Sequence, residues 1–379
     1  MRLIIIILFL PTLLFSQINQ NTKNAFWVVR DALITKSDID AIIQTAVYLN
    51  ISDIFVQVRA LGRTYYASTT EPRVEELDKD FDPLALIIRR ATLYNIRIHA
   101  WVNMFYIWSG TREPEDKDHV FYLQKENILR NCSFPTYQEL KSAGIEGYFL
   151  DPQSRQVKKY LLNLLLEIAD KYELAGVHLD YFRYPGVFYS FTPESRTNFR
   201  LQNYYDPLEL YCFTNEYVQR RGHDVFRYAD RVYRQFLAEG LSEYLEEIKN
   251  VLKERKPNLE LSVAVKPDPI EAKHRYFQNW LNWIKSNLCD FVVLMNYRKD
   301  IREFMSPLDV ILKSGVKGKV MVGISTYNQD AQAVNKRILA IQKDKWPGLS
   351  LFSYNHLKQN KSYIERIRPF LKSGGQNGS

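Results

Sequence analysis

Eight short runs rich in β-branched and aromatic residues recur along the chain between longer segments with helical periodicity. This pattern restricts the fold more than any other feature, because strands that alternate with helices assemble into a parallel sheet. The runs lie at Phe26–Arg30, Ile54–Arg59, Arg97–Asn103, Gly176–Tyr181, Leu259–Val265, Phe291–Tyr297, Val320–Thr326 and Leu349–Tyr354. Such units predict an α/β fold, a (β/α)8 or TIM barrel, with the runs as strands one to eight.

Helix start signals support this division of the chain. Ser37 and Asp40 have the spacing of a capping box, and apolar residues then recur on one helical face. Asp82 and Asp151 each place a capping carboxylate before a proline suited to a first helical turn. We therefore expect helices to begin directly after these residues.

Two long insertions interrupt the regular alternation, residues 105–150 after strand three and residues 186–228 after strand four. In a barrel both would extend the face at the carboxyl ends of the strands, where active sites of this fold lie. No repeat or Pro/Gly-rich linker divides the remainder. We therefore expect one barrel domain over residues 25–371 and a disordered tail over residues 372–379.

The first residues read as a targeting segment. A basic start, a short apolar run and the small Ser16 make residues 1–16 resemble a secretory signal peptide. The run is short for a membrane span, so we expect a secreted or periplasmic protein with no stable membrane insertion after signal removal. Cys132, Cys212 and Cys289 lack the spacing of zinc or redox motifs, and we expect no disulfide among them.

Composition narrows the classes of partner. The net charge of +8 implies a mild attraction to polyanions without selecting one. Lysine and arginine are spread through the helices, and no dense basic block is interleaved with aromatics, so nucleic acid is not an expected partner. Aromatic residues make up 14% of the chain, and rings of this kind stack on sugars, although most of them must belong to the core.

The stretch Ala175–Gly186 carries the most specific chemical signal. Alternation along strand four puts His178 and Asp180 on one side, and a carboxylate at the carboxyl end of a barrel strand is placed for chemistry. Arg183 and Tyr184 follow at once and would hold that carboxylate ionised. The alternative is a structural Asp180 that braces the barrel rim. His178 is expected to pack below the reacting level.

Polar and aromatic side chains that share one face recur at the ends of strands two, three and six: Gln57, Arg59, His99, Trp101, Asn103, Asn296 and Tyr297. So many polar groups in one direction predict a cleft rather than core packing. His99 and His178 with Asp180 are conceivable metal ligands, but their spacing matches no recognisable ligand set. We therefore expect neither a metal nor a cofactor.

Together these segments resemble the glycoside hydrolase-like family 10, whose members are TIM barrels identified as glycosidases of cell-wall or polysaccharide glycans. The matching stretches are Phe55–Arg59, Phe81–Leu84, His99–Asn103, Tyr148–Pro152, Gly176–Pro185, Lys266–Pro269, Gln278–Trp280 and Met295–Tyr297 with Asp300. The resemblance implies the fold and a glycan-directed activity. Two positions depart from it: Tyr181 stands where the family often has a second acid, and Phe182 stands where family 18 chitinases have their catalytic glutamate.

Cleavage of a glycosidic bond normally needs two carboxyl groups, one protonated and one ionised. Asp180 is expected to be the ionised group. The resemblance leaves Asp300, after strand six, and Asp268, after strand five, as candidates for the protonated acid. An analogy with barrel glycosidases that use a strand-four and a strand-six aspartate ranks Asp300 ahead of Asp268.

The sequence thus predicts a glycosidase whose partner is a carbohydrate polymer, either a cell-envelope glycan similar to peptidoglycan or another polysaccharide. The expected ligands of hydroxyl or acidic groups are Arg59, His99, Asn103 and Asn296, and the expected stacking residues are Tyr66, Trp101, Trp108 and Tyr297. One alternative is a non-catalytic, lectin-like barrel that keeps the cleft and has lost the acid. A metal-dependent deacetylase or hydrolase is a third possibility.

Overall fold

The computed structural model describes residues 22–372, and its centre is a closed barrel of parallel strands. The barrel strands are β1 (Lys23–Val28), β2 (Asp53–Ala60), β3 (Arg97–Asn103), β4 (Gly176–Asp180), β5 (Glu260–Val265), β6 (Phe291–Leu294), β7 (Val320–Ser325) and β8 (Gly348–Phe352). Each strand pairs with its neighbours in chain order, and β1 pairs with both β2 and β8, which closes the sheet.

An outer layer of helices follows the strands in turn: α1 (Lys36–Tyr48), α2 (Pro83–Thr92), α3 (Arg155–Lys171), α4 (His223–Arg255), α5 (Trp280–Lys285), α6 (Ile301–Leu312), α7 (Ala331–Lys343) and α8 (Lys361–Lys372). Shorter helices lie in the connections at Val120–Leu123, Tyr137–Ser142, Pro193–Asn203, Pro207–Cys212, Thr214–Arg221, Pro269–Arg275 and Tyr354–Leu357. Single 3-10 turns occur at Arg30–Ala32, Lys125–Asn127 and Lys317–Lys319.

The predicted (β/α)8 barrel is confirmed, and each predicted run overlaps one barrel strand. The two insertions also lie where expected, after β3 and β4. The first contains an antiparallel pair, Tyr106–Trp108 with Tyr148–Phe149. A further short strand, Arg63–Thr64, pairs antiparallel with the end of β2.

Two apolar layers follow from the alternation of side chains along the strands. Residues such as Ile54 and Val56 face outward and pack with the apolar sides of the helices in one extended core. A smaller cluster fills the barrel interior, where Trp27, Phe55 and Trp101 contact residues of the other strands. Each fully buried ring of this size contributes roughly 2 to 3 kcal/mol relative to exposure to water, so the interior is a packed core.

Helix starts agree with the sequence in one case and differ in two. Asp82 caps α2 by accepting a hydrogen bond from a backbone amide of the first turn, as predicted. The capping box of α1 is formed by Thr35 and Asp38, so the predicted box at Ser37 and Asp40 was two residues late. The prediction that Asp151 caps a helix was wrong, because α3 begins only at Arg155.

Asp151 is fully buried and ties the two insertions together instead. Its carboxylate accepts hydrogen bonds from the Thr192 hydroxyl at 2.7 Å and from the Gln153 amide at 2.8 Å. A buried carboxylate needs such donors to offset the cost of its desolvation.

The same two insertions are joined covalently. Cys132 in the first insertion forms a disulfide with Cys212 in the second, at a sequence separation of 80 residues. The expectation of no disulfide was wrong, because the proximity of these residues depends on how the insertions pack. Nearby, the backbone amide of Arg130 donates to the carbonyl of Phe191 at 3.1 Å.

The predicted signal peptide at residues 1–16 lies outside the described residues, as does the predicted tail except for Lys372, which ends α8. Within residues 22–372, no helix is long and apolar enough to cross a membrane.

Candidate active site

A cleft with a volume of about 360 Å³ opens at the carboxyl ends of the barrel strands. Its lining combines acids, cations, amides and rings: Trp27, Val29, Arg30, Gln57, Leu61, Trp101, Asn103, Tyr106, Ser109, Glu146, Asp180, Tyr181, Arg183, Ala264, Lys266, Met295, Tyr297 and Phe352. A larger groove of about 1010 Å³ runs along α4 outside the barrel, but no strand end contributes to it. The smaller cleft, where the strand ends converge, is therefore the candidate active site.

Asp180 is the last residue of β4 and is only 7% exposed. One carboxylate oxygen, Oδ2, accepts a hydrogen bond from the Trp101 indole at 3.1 Å, and Oδ1 accepts one from the Tyr181 amide at 2.7 Å. Burial raises the pKa of Asp180, and these donors and the nearby cations offset that effect only in part. The pKa of Asp180 is therefore shifted toward the protonated form, the opposite direction to the one expected from the neighbouring Arg183 alone.

A second carboxyl group, Glu146, reaches the cleft from the first insertion. Its Oε1 accepts a hydrogen bond from Arg183 Nη2 at 2.8 Å. Burial opposes ionisation, but the charge and hydrogen bond of Arg183 and the charge of Lys266 leave the pKa of Glu146 below its ordinary value. Glu146 is therefore held ionised beside an aspartic acid whose pKa is shifted the other way.

Sequence reasoning missed Glu146 because the residue lies on a loop and follows no strand. The available signal was its position two residues before the family-like stretch Tyr148–Pro152. The strand Tyr148–Phe149 pairs with Tyr106–Trp108, and the Tyr106 hydroxyl donates to the Glu146 carbonyl at 3.4 Å. This antiparallel pair of strands positions Glu146 at the cleft.

One wall of the cleft is made of rings and a cation. Tyr181 has a left-handed backbone with φ of 51°, which is uncommon for a residue with a side chain and turns its amide toward Asp180. Its ring stacks on Tyr106 with centroids 4.6 Å apart, and the Arg183 guanidinium lies 4.7 Å from the same ring. Tyr181, in the turn after β4, thus has two contacts: its backbone amide donates to Asp180, and its ring lies against Arg183.

The opposite wall is a chain of polar groups. Arg30 donates from Nη1 to the Gln57 side-chain oxygen at 3.2 Å, and the Gln57 amide donates to Asn103 Oδ1 at 3.4 Å. Tyr297 closes this side by stacking on Phe352, with centroids 5.1 Å apart. Of the predicted ligands, Trp101, Asn103, Tyr297 and Arg183 therefore line the cleft.

Arg59 does not line the cleft, because β2 is irregular between Gln57 and Arg59. Gln57 pairs with Trp101 and faces the interior, whereas Arg59 pairs with Val102 and so has switched to the outer face. There its guanidinium forms a bidentate pair with Glu71, with Nε to Oε2 at 2.8 Å. The side chain is fully buried and acts as a structural tie.

His99 also lies away from the cleft, because it is near the amino end of β3, opposite Gly176. Its Nε2 is 2.9 Å from Asp53 Oδ1, and Asp53 also pairs with Arg97 at 2.9 Å. Burial opposes ionisation of Asp53, but these neighbours lower its pKa to about 2. Asp53, His99 and Arg97 thus stabilise the barrel at the amino ends of its strands. His99 is held there and does not reach the cleft, so its predicted role as a ligand of the substrate was wrong.

Tyr184 and Asn296 are buried outside the lining of the cleft. Asn296 donates to the carbonyl of Phe304 at 2.8 Å, which ties the end of β6 to α6. Tyr184 packs edge-on against Phe277, with centroids 5.5 Å apart. Both residues lie beyond the ends of their strands, so strand alternation does not fix which way their side chains point.

Tyr66 and Trp108 complete the set of predicted ligands that lie elsewhere. Tyr66 is fully buried beneath the outer helices, edge-on to Tyr172 with centroids 5.9 Å apart. The indole of Trp108 donates to the carbonyl of Arg112 at 2.9 Å within the first insertion. Neither ring is presented to a ligand in the cleft.

The two aspartates predicted as acids are helix caps and do not line the cleft. Asp300 begins α6 and accepts hydrogen bonds from two backbone amides of its first turn, at 2.8 and 3.0 Å. These bonds lower its pKa, the opposite of what a proton donor needs. Asp268 caps the helix Pro269–Arg275 in the same way, at 2.8 and 3.1 Å.

His178 lies beneath Asp180 inside the barrel. The Trp27 indole donates to its Nε2 at 3.3 Å, and its Nδ1 is 2.9 Å from the Ser262 hydroxyl. Burial, together with the neighbouring His99, lowers the pKa of His178 well below its ordinary value, so the ring is neutral. Within residues 22–372, no group of three or more His, Cys, Asp or Glu side chains has an arrangement that could hold a metal ion.

Solved structures that share this fold include glycoside hydrolases. The glycoside hydrolase domain of PgaB (BpsB) from Bordetella bronchiseptica superimposes with a TM-score of 0.67 at 11% identity, over 92% of this chain and 99% of that one. The catalytic domain of β-amylase from Paenibacillus polymyxa gives a TM-score of 0.61 at 11% identity, over 94% and 99% of the two chains. At these identities the likeness concerns the fold.

Sequence comparison is more specific. Glycosyl hydrolase DigH of Escherichia coli (strain K12) is 22% identical over 156 residues, which is 40% of this chain. The match spans about a third of that relative, 34% of its length. The profile of the family described as glycosyl hydrolase-like 10 matches residues 18–346, most of the chain. The chain therefore belongs to the glycosyl hydrolase-like 10 family.

Proposed function

We propose that the protein is a glycosidase that hydrolyses a polysaccharide with Asp180 and Glu146 as its two carboxyl groups. The observation that carries this proposal is the opposite direction of their pKa shifts within one cleft. Glycosidases need one protonated and one ionised carboxyl group on either side of the scissile bond. Membership of the family and the fold shared with glycoside hydrolases support a carbohydrate substrate.

In this mechanism Asp180 donates its proton to the glycosidic oxygen as the bond to the leaving sugar breaks. The Trp101 indole and the Tyr181 amide hold the carboxyl group in one orientation before and after transfer. Glu146, ionised beside Arg183, acts at the anomeric carbon either as the nucleophile or as the base that activates water. Positive charge at the sugar ring is stabilised by this carboxylate.

The polymer that we propose is a glycan of the cell envelope, similar to peptidoglycan, and we propose that the protein is exported. The polar wall of Arg30, Gln57 and Asn103 suits sugar hydroxyl groups, and Tyr297 offers a ring for stacking. Export is supported by the signal-like residues 1–16. N-terminal sequencing of protein from the producing cell should begin near Gln17, and retention of the leader in membranes would contradict export.

A glycan-binding barrel without catalysis is the second candidate. One observation favours it, namely that the carboxylate of Glu146 is already paired with Arg183 at 2.8 Å. An acid held in this pair throughout would leave Asp180 without a catalytic partner. The two functions differ in one measurable property, because only a glycosidase releases reducing ends.

The test uses purified full-length protein with peptide-free peptidoglycan strands and a panel of other polysaccharides, and measures reducing ends. Asp180→Asn and Glu146→Gln should each lower turnover by about 100-fold or more, because each removes one chemical role. Glu126→Gln is the matched control: Glu126 pairs with Arg130 in the same insertion but is largely exposed outside the cleft. Release that survives Asp180→Asn contradicts the mechanism, and binding without release favours the second candidate.

A further inference from the structure

The cleft holds more cations than ionised acids. Three cations, Arg30, Arg183 and Lys266, line it together with two acids, Glu146 and Asp180. Among residues 22–372, Arg183 is the only one of these cations that forms an ion pair, which it makes with Glu146. The side-chain nitrogen of Lys266 makes no hydrogen bond or ion pair with any residue from 22 to 372. Positive charge in the cleft therefore exceeds what the protein itself neutralises.

Lys266 is held in place by its own backbone. It follows β5 directly, and its amide donates to the Gln278 side-chain oxygen at 3.1 Å while its carbonyl accepts from the Trp280 indole at 3.1 Å. The ammonium group lies 4.7 Å from the centre of the Tyr276 ring. The lysine is thus directed into the cleft beside the end of β4, the neighbouring strand that precedes Arg183.

Arg183 is only 2% exposed and is incompletely paired. Its Nη2 binds Glu146, but Nε and Nη1 are buried and have no hydrogen-bond partner among residues 22–372. Its guanidinium lies 5.2 Å from the same Tyr276 ring that Lys266 covers, so two cations share one ring. Burial, followed by the charge of Arg183, lowers the pKa of Lys266, although the charges of Glu146 and Asp180 act in the opposite direction.

Unpaired buried donors and neighbouring like charges are costly, and a bound anion removes both costs. The ammonium group of Lys266 and the free nitrogens of Arg183 are donors of the kind that bind the oxygens of a carboxylate. We propose that Lys266 and Arg183 form a subsite for a carboxylate carried by a sugar of the substrate. This inference rests on the proposed function, and it narrows the substrate class to acidic glycans.

The test compares two forms of one ligand. Oligosaccharides from peptide-free peptidoglycan are prepared with free lactyl carboxylates or with the same groups converted to primary amides. Dissociation constants are measured by calorimetry with the Asp180→Asn protein, which prevents turnover. The acid form should bind at least about tenfold more tightly than the amide, as expected for one charge-assisted hydrogen bond. Raising the salt concentration should reduce this preference.

Substitutions of Lys266 test whether this residue causes the preference for the acid form over the amide form. Lys266→Met in the same background should bring the two dissociation constants together, and Lys266→Arg should keep them apart. Lys285→Met removes an equivalent charge from the exposed end of α5 and should leave the preference unchanged. A far-ultraviolet spectrum and melting temperature close to those of the parent show that each variant is folded.

Equal binding of acid and amide by the parent overturns the subsite, as does an acid preference that survives Lys266→Met. Binding of neither form also overturns it. These outcomes are separate from the reducing-end assay, which decides whether the protein is a glycosidase. If reducing ends are released but the acid and amide forms bind equally, the protein is a glycosidase without the carboxylate subsite. If the acid form binds more tightly but no reducing ends are released, the subsite belongs to a binding protein.

Discussion

The hydrogen bond from Trp101 to Asp180 allows a quantitative test of how the cleft sets the protonation of its acid. The indole nitrogen lies 3.1 Å from Oδ2 of a carboxyl group that is 7% exposed. This donor stabilises the ionised form, so Trp101→Phe should raise the pKa of Asp180 further. A hydrogen bond to a charged group contributes about 1.5 to 3 kcal/mol, which corresponds to a rise of roughly one to two pH units.

The sign of the kinetic effect follows from the proposed role of Asp180 as the general acid. A general acid works only when protonated, so activity should fall as pH rises through the pKa of Asp180. With Trp101→Phe that alkaline limb of kcat should move to higher pH, even if the loss of orientation lowers the maximum rate. The same shift should appear in a carbon-13 titration of the Asp180 carboxyl group, which does not depend on turnover.

Trp283→Phe is the matched control. Trp283 is fully buried on α5, and its indole donates to the Ser242 hydroxyl at 2.8 Å, away from the cleft. Both substitutions remove a ring and a buried donor bond, so both should lower the free energy of unfolding by about 1 to 3 kcal/mol. The reasoning is refuted if the limb stays in place with Trp101→Phe or moves equally with Trp283→Phe.

Three further predictions concern the scaffold. Asp300→Ala and Asp268→Ala should lower the melting temperature without changing kcat, and a large loss of kcat in either folded variant would return that residue to the catalytic pair. Because the pKa of Asp53 is lowered to about 2, its ionised form should contribute about 2 kcal/mol of stability above pH 4, lost as pH falls toward 2. Asp53→Asn should flatten that part of the stability curve in acid denaturation. Cys132→Ser should lower the free energy of unfolding by about 2 to 4 kcal/mol, because the bond to Cys212 closes a long loop, and equal denaturation midpoints with and without reductant would contradict this.

Local periodicity in the sequence determined the barrel. Each strand can be predicted from a few residues, because it is marked by the alternation of its apolar side chains and by the turn residues at its ends. Both signals are local in the sequence. The same alternation identified Asp180, and with it Trp101 and Asn103, since a strand that ends in the barrel rim must direct every second side chain into the cleft.

The prediction of side-chain direction from strand alternation was wrong where the backbone of β2 is irregular. One irregular residue in β2 turns Arg59 to the outer face while Gln57 stays in the cleft, and no feature of the sequence marks that position. The role of an acid directly after a strand could not be predicted either, because Asp300 and Asp268 each stand between a strand and a helix. Such an acid can face the cleft or cap the helix. In the structure both cap the helix, because the first backbone amides of a helix lack partners within the helix.

Only the tertiary structure could suggest Glu146 as the proposed partner of Asp180. Glu146 lies on an insertion whose path depends on the hairpin of Tyr106–Trp108 with Tyr148–Phe149 and on the disulfide between the two insertions. These contacts join residues far apart in the chain, so no local pattern encodes them. The pKa shifts of the two acids also depend on the tertiary structure, since burial and the charges of Arg183 and Lys266 act on them only once β4, β5 and the insertion have met.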